Sequence, residues 1–220
     1  MSDVITNMKD NVIGSLIGIY QLIPDSILFG SILLYFLTQN MAFGVFGVFI
    51  FETVISHRFI SWMFSQSVGP RPLTADKIKC YSGFKTPQVN ASRIFDHDQY
   101  PPYGVFSLTS IGTYLLLATN EFSSTMNAMG SDWSSRTYVA YALIAFVLLS
   151  FYFARGAVDC DSFGDIMISI GCALVVGTIF FFVNKNLFGV EAMNFLGLPY
   201  LVTKESQGSP IYICATQKEE

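Results

Sequence analysis

The chain has 220 residues and a formal net charge of −4. Its charged fraction is 13% and its hydrophobic fraction 52%, with 21 Phe. Soluble domains carry roughly twice that share of charge, about 25%. With a mean hydropathy of +0.48, this excludes a disordered chain and argues against an ordinary water-soluble surface. The negative net charge gives no reason to expect nucleic acid as a partner. Cys80, Cys160, Cys172 and Cys214 form no CxxC pair and have no His cluster nearby. Neither a disulfide framework nor a metal site is therefore expected, and no cofactor.

Residues 1–22 space Val4, Ile5, Met8, Val12, Ile13, Leu16 and Ile19 among polar residues. That i, i+3, i+4 pattern predicts an amphipathic helix lying on a membrane surface. No small-residue cleavage site follows an apolar core there, so the segment reads as uncleaved. Residues 23–185 read as a transmembrane bundle. A membrane-spanning helix needs roughly 20 apolar residues, and four charge-free runs exist: Ser26 to Phe51, Gln99 to Asn120, Thr137 to Ala154 and Ile166 to Asn184. The first run is too long for one helix and is broken by the polar cluster Thr38-Gln39-Asn40. Five spans result, at about 24–38, 42–65, 103–119, 136–154 and 164–183. Glu52, His57 and Arg58 sit in the second half of the second span and are expected to snorkel or to face the bundle interior. Residues 186–220 read as an interfacial segment followed by a polar tail. The fold class is thus all-α, a polytopic transmembrane helical bundle with an amphipathic N-terminal helix.

Five spans put the two ends of the chain on opposite faces. One face carries Lys9, Arg58, Arg71, Lys77, Lys79, Lys85, Arg93 and Arg155; the other carries Arg136, Lys185, Lys204 and Lys218. The positive-inside rule places the first face in the cytoplasm, where the sequon Asn90-Ala91-Ser92 would stay bare. The 67–100 loop on that face is long for a compact protein. It holds the apolar anchors Cys80, Tyr81, Phe84, Ile94, Phe95 and Tyr100, as expected of a loop that caps a site or meets a partner.

Three clusters fall at helix ends on this face: Gly69-Pro70-Arg71-Pro72, Tyr100-Pro101-Pro102-Tyr103-Gly104, and Arg155 through Asp165 with Asp159 and Asp161 between. Their order and placement resemble the type 2 phosphatidic acid phosphatase superfamily. Its membrane members are helical bundles carrying Lys-x6-Arg-Pro, Pro-Ser-Gly-His and Ser-Arg-x5-His-x3-Asp. Arg71-Pro72 matches the end of the first motif, with Phe64 at the Lys position. Pro102-Tyr103-Gly104-Val105 stands where the second should be, without its Ser and His. Arg155, Asp161 and Asp165 keep the third spacing, with Asp161 at the His position.

The resemblance implies a phosphohistidine chemistry in which one His attacks phosphorus and another protonates the leaving group, while Lys and Arg neutralise the phosphoryl oxygens. Both His and the Lys are missing here. Asp159, Asp161 and Asp165 would also repel a phosphate dianion. No catalytic residue is therefore assigned. Arg71 and Arg155 are possible binders of a lipid phosphate; the alternative is ion pairs with the neighbouring Asp residues.

The leading expectation is a non-enzymatic structural or assembly component of a membrane complex. Its partners would be the lipid bilayer and other protein subunits of a membrane or capsid complex. The Cys80-Tyr81-Ser82-Gly83-Phe84 loop and the Tyr-Pro-Pro-Tyr run are also similar in style to membrane proteins of large DNA viruses that infect protists. A virion inner membrane anchoring a capsid layer, or an organelle membrane, would then be the location. Two alternatives stay open. A divergent lipid phosphatase or phosphotransferase with a rebuilt site would bring His97 to Arg71 and Arg155. A lipid-phosphate-binding accessory subunit would keep those arginines exposed to a headgroup. The structural reading expects them paired with Asp residues.

Overall fold

The computed structural model describes residues 23, 26–68, 100–128, 131–157 and 161–195, and these form a helical bundle with no strand among them. The elements are α1 (Ser26–Thr38), α2 (Met41–Val68), α3 (Tyr103–Ala128), α4 (Ser131–Ala157), α5 (Phe163–Phe188) and a 3-10 turn, Val190–Met193. The surface helix expected in residues 1–22, most of the 67–100 loop and the tail beyond residue 195 lie outside the described residues.

All five expected helices are present, and α2 to α5 run several residues longer than the expected spans. α2, α4 and α5 are long and apolar enough to cross a membrane. α1 has 13 residues between its bounds, about 20 Å of helix, short of a bilayer core of ~30 Å. α3 is as long as α5 but carries Ser107, Thr109, Ser110, Thr113 and Thr119 along its length. It is the centre of the bundle, packed on α5, α4 and α2. Most of its hydroxyls are absorbed within the helix, Thr109 donating to the Val105 carbonyl at 2.6 Å and Thr113 to Thr109 at 2.8 Å, while Ser110 donates across to the Ala173 carbonyl of α5 at 3.3 Å. A central helix has no need of a lipid-compatible surface, which explains its lower hydropathy.

The break between α1 and α2 falls where the polar cluster predicts it. Thr38 Oγ1 donates to the Leu34 carbonyl at 2.7 Å, ending α1, and Gln39 follows with φ 51°. Asn40 Oδ1 then accepts from the Ala42 amide at 2.9 Å, capping the orphan donors that open α2. α5 opens on Ser162, whose Oγ accepts from the Asp165 amide at 3.2 Å and donates to the Asp165 carboxylate at 2.7 Å. A carboxylate in the first turn also favours the positive end of the helix dipole.

Of the expected interfacial segment after α5, the residues up to 195 are described. Gly189, at φ 83°, turns the chain, and the 3-10 segment folds back onto α2 and α5. Ala192 and Met193 are buried there, and Asn40 Nδ2 donates to the Asn194 carbonyl at 3.1 Å. Met193 completes an aromatic core. Phe49 stacks on Tyr114 at 4.2 Å, Phe181 meets Tyr114 edge-on at 5.5 Å, and Phe46 packs on Phe195 at 5.4 Å. Such pairs contribute about 0.5–1.5 kcal/mol each beyond area burial.

The outside of the bundle is as apolar as its core. α4 shows Tyr138, Val139, Leu143, Phe146, Leu149 and Phe153 to the exterior, with Phe146 71% and Phe153 78% exposed. α1 does the same with Phe36 and Leu37, and α5 with Phe163 and Leu187. Patches of this size are incompatible with a water-facing surface. With three helices long enough to span, they fit a membrane-embedded protein.

Candidate functional site

The chain direction brings the C-terminal ends of α2 and α4 and the N-terminal ends of α3 and α5 to one end of the bundle. Two of the three sequence clusters can be followed there. Arg71 and Pro72 of the first, along with Asp159, lie outside the described residues, as does His97.

The Tyr100-Pro101-Pro102 cluster is a clasp. Pro101 and Pro102 have no N–H to donate, which suits the turn that opens α3, where the first amides have no helical acceptor. Three consecutive carbonyls there receive side-chain donors. Ser61 Oγ donates to the Tyr100 carbonyl at 2.7 Å and His57 Nε2 to Pro101 at 2.6 Å. Ser169 Oγ donates to Pro102 at 3.0 Å. His57 and Ser61 are four residues apart, one turn on the same face of α2, and Ser169 comes from α5. The Pro102 carbonyl also accepts the Phe106 amide at 3.0 Å.

This geometry fills the region where the second phosphatase-like motif would act. Tyr103, Gly104 and Val105 are buried, with Val105 fully so. The His57 ring lies edge-on to Tyr103 at 5.0 Å and close to Phe106 at 5.1 Å. Phe64, at the position of the motif's lysine, packs edge-on against Tyr100 at 5.2 Å. Glu52 and His57 face inward, whereas Arg58 is exposed.

The third cluster closes on itself. Arg155, in the last turn of α4, places both Nε and Nη2 2.7 Å from Asp161 Oδ2, and both side chains are 11% exposed. The six-residue separation lets the guanidinium reach across the α4–α5 turn to an acid placed just before the Ser162 cap. A basic group in the last turn also suits the negative end of the α4 dipole. Asp165 belongs to the α5 cap described above. Among the described residues no group of three or more His, Cys, Asp or Glu side chains is arranged to hold a metal ion.

A second polar group, not assembled by the sequence reading, lies among α2, α3 and α5. Asn184 is fully buried, and its Nδ2 donates to Glu52 Oε2 at 2.9 Å. The Tyr114 hydroxyl donates to Met193 Sδ at 3.1 Å beside them. Lys185, the next residue on α5, turns to α3 and pairs with Glu121 at 2.6 Å. The signal for Asn184 was faint: one amide near the end of an apolar helix, 132 residues from its partner. Compared with family models, curated proteins and solved structures, the chain matches none of them.

Proposed function

We propose that this chain is a multi-pass membrane protein acting as a non-enzymatic structural or assembly subunit of a membrane complex, on a scaffold resembling a lipid phosphatase that has lost its chemistry. The observation that carries the reading is the closure of the third cluster. The Arg155 guanidinium is spent on Asp161, at 2.7 Å through two nitrogens. The structural alternative expected that pairing; a phosphate-binding or phosphate-cleaving site needs the same donors turned to the ligand. The clasp adds to it. A turn held by Ser61, His57 and Ser169 and packed around Val105 offers apolar side chains, not a nucleophile with its base.

The exterior supports the membrane half of the proposal, because rings such as Phe146 and Phe153 suit hydrocarbon and not water. The test of the assembly half is the mass of the native particle. The chain is extracted from its own membrane in mild detergent and weighed intact by native mass spectrometry. A particle of fixed stoichiometry containing other protein subunits beside the 24.4 kDa chain is expected. A single chain carrying only lipid would contradict the proposal.

A further inference from the structure

Glu52 sits in the middle of α2, a helix apolar enough to span a membrane, with an inward-facing side chain that is only partly exposed. Among the described residues its side chain has one hydrogen-bond partner, the Asn184 amide, and no ion pair. The ionisable groups on the elements around it are engaged elsewhere or face away. On α5, Lys185 is held by Glu121 of α3. On α3, the Tyr114 hydroxyl adjoins both Glu52 and Asn184 but donates to Met193 Sδ. On the 3-10 turn Glu191 is exposed, and on α1 Tyr35 is at the surface. On α2 itself His57 donates to Pro101 and Arg58 is exposed. Among the described residues no cation meets a bare carboxylate here, and that is expensive in a low-dielectric interior.

The second observation is an orphan. Asn184 Oδ1 is buried from solvent and, among the described residues, accepts no hydrogen bond. A buried amide oxygen left unsatisfied is destabilising, so its presence beside an uncompensated acid calls for one explanation of both. The two ends of an amide have nearly the same size, so Asn184 can turn over without repacking. With its oxygen toward Glu52, the amide becomes an acceptor aimed at the acid, and the missing component is a hydrogen on that acid.

We propose that Glu52 is a proton-binding site inside the bundle, its protonated carboxyl donating to Asn184 Oδ1. One proton removes the uncompensated charge and gives the turned oxygen a donor, while the amide nitrogen turns to the Tyr114 hydroxyl oxygen beside it. A proton also needs no cavity, whereas a metal ion would need room and several more oxygen ligands. Glu52 would hold this proton whether or not the chain is an assembly subunit.

The experiment is infrared spectroscopy of the purified full-length protein in lipid nanodiscs at neutral pH, for the wild type, Glu52→Gln and Asn184→Leu. A carboxylic-acid C=O band is expected in the wild type. It should vanish in Glu52→Gln, which keeps size and neutrality and therefore the fold, and move to higher frequency in Asn184→Leu as the acceptor is lost. Absence of the band at neutral pH, or its survival in Glu52→Gln, overturns the proposal. So does a band that disappears when sodium is added at constant pH, which would make the occupant a metal ion. A readout free of variants is carbon-13 NMR of wild-type protein labelled at the Glu side-chain carboxyls. One signal in the acid range supports the site; carboxylate signals alone overturn it.

Discussion

At Gly177 α3 and α5 approach closely, and the position separates packing from helix propensity. A Cβ at Gly177 would lie 2.9 Å from the Ser110 carbonyl oxygen and 3.0 Å from Thr113 Cβ. Backbone cannot swing aside as a side chain can, so Gly177→Ala must push the two helices apart. The nearby bond from Ser110 Oγ to the Ala173 carbonyl, already 3.3 Å, would stretch as well. Overpacking of this kind costs about 1–3 kcal/mol, against a propensity gain of at most about 1 kcal/mol for Gly→Ala in a helix. Gly171, on the same helix, has no atom within 4 Å of its hypothetical Cβ. Gly171→Ala should therefore be neutral or slightly stabilising. The gap between the two variants should be roughly 1–3 kcal/mol, read from reversible unfolding in detergent followed by circular dichroism. Gly112→Ala is the intermediate case, because its Cβ would meet the flexible Leu148 Cδ1 at 2.9 Å. Equal stabilities for Gly177→Ala and Gly171→Ala would refute the packing of α3 on α5 described above.

Three further outcomes follow from the geometry. Arg155→Ala leaves Asp161 unpaired at a site only 11% exposed, so a loss of about 3 kcal/mol or more is expected. The double variant Arg155→Leu with Asp161→Leu should recover much of it, and additive losses in that double-mutant cycle would show that the pair does not act as a unit. His57→Ala removes the donor to Pro101 and the ring between Tyr103 and Phe106. It should destabilise the bundle by about 1–3 kcal/mol and speed hydrogen exchange of the amides that follow Pro102, with unchanged exchange there counting against the clasp. Phe146→Arg puts a charge at the centre of the most exposed face of α4. Insertion of α4 should worsen by about 2.5–3.5 kcal/mol in a translocon assay; unchanged insertion would remove the membrane reading of that helix.

Much of the fold is legible in the residues because hydropathy and breakers are local signals. Charge-free runs locate α3 to α5 and the first half of α2, and Thr38-Gln39-Asn40 marks a real break because Thr38 and Asn40 find backbone partners within four residues. Arg155 and Asp161 are six residues apart, and their pairing was one of two readings open from spacing alone. What depends on distant partners was not legible. The Tyr-Pro-Pro-Tyr run reads as a motif remnant, yet its carbonyls are claimed by Ser61 and His57 some forty residues earlier and by Ser169 more than sixty later. His57 and Ser61, one turn apart on a charge-poor helix, were the available hint. The start of the segment after α5, expected to be interfacial, is held by Met193 buried against Tyr114, a contact 79 residues apart in sequence.

The central claim is that the phosphatase-like positions serve packing and pairing, without turnover. The most direct measurement is phosphate release from short-chain phosphatidic acid and from diphosphates by the detergent-purified full-length protein, beside Arg155→Ala, His97→Ala and a mock preparation. The account predicts release no higher than the mock for all three proteins. Turnover by the wild type that both substitutions abolish would contradict it and make Arg155 a substrate ligand.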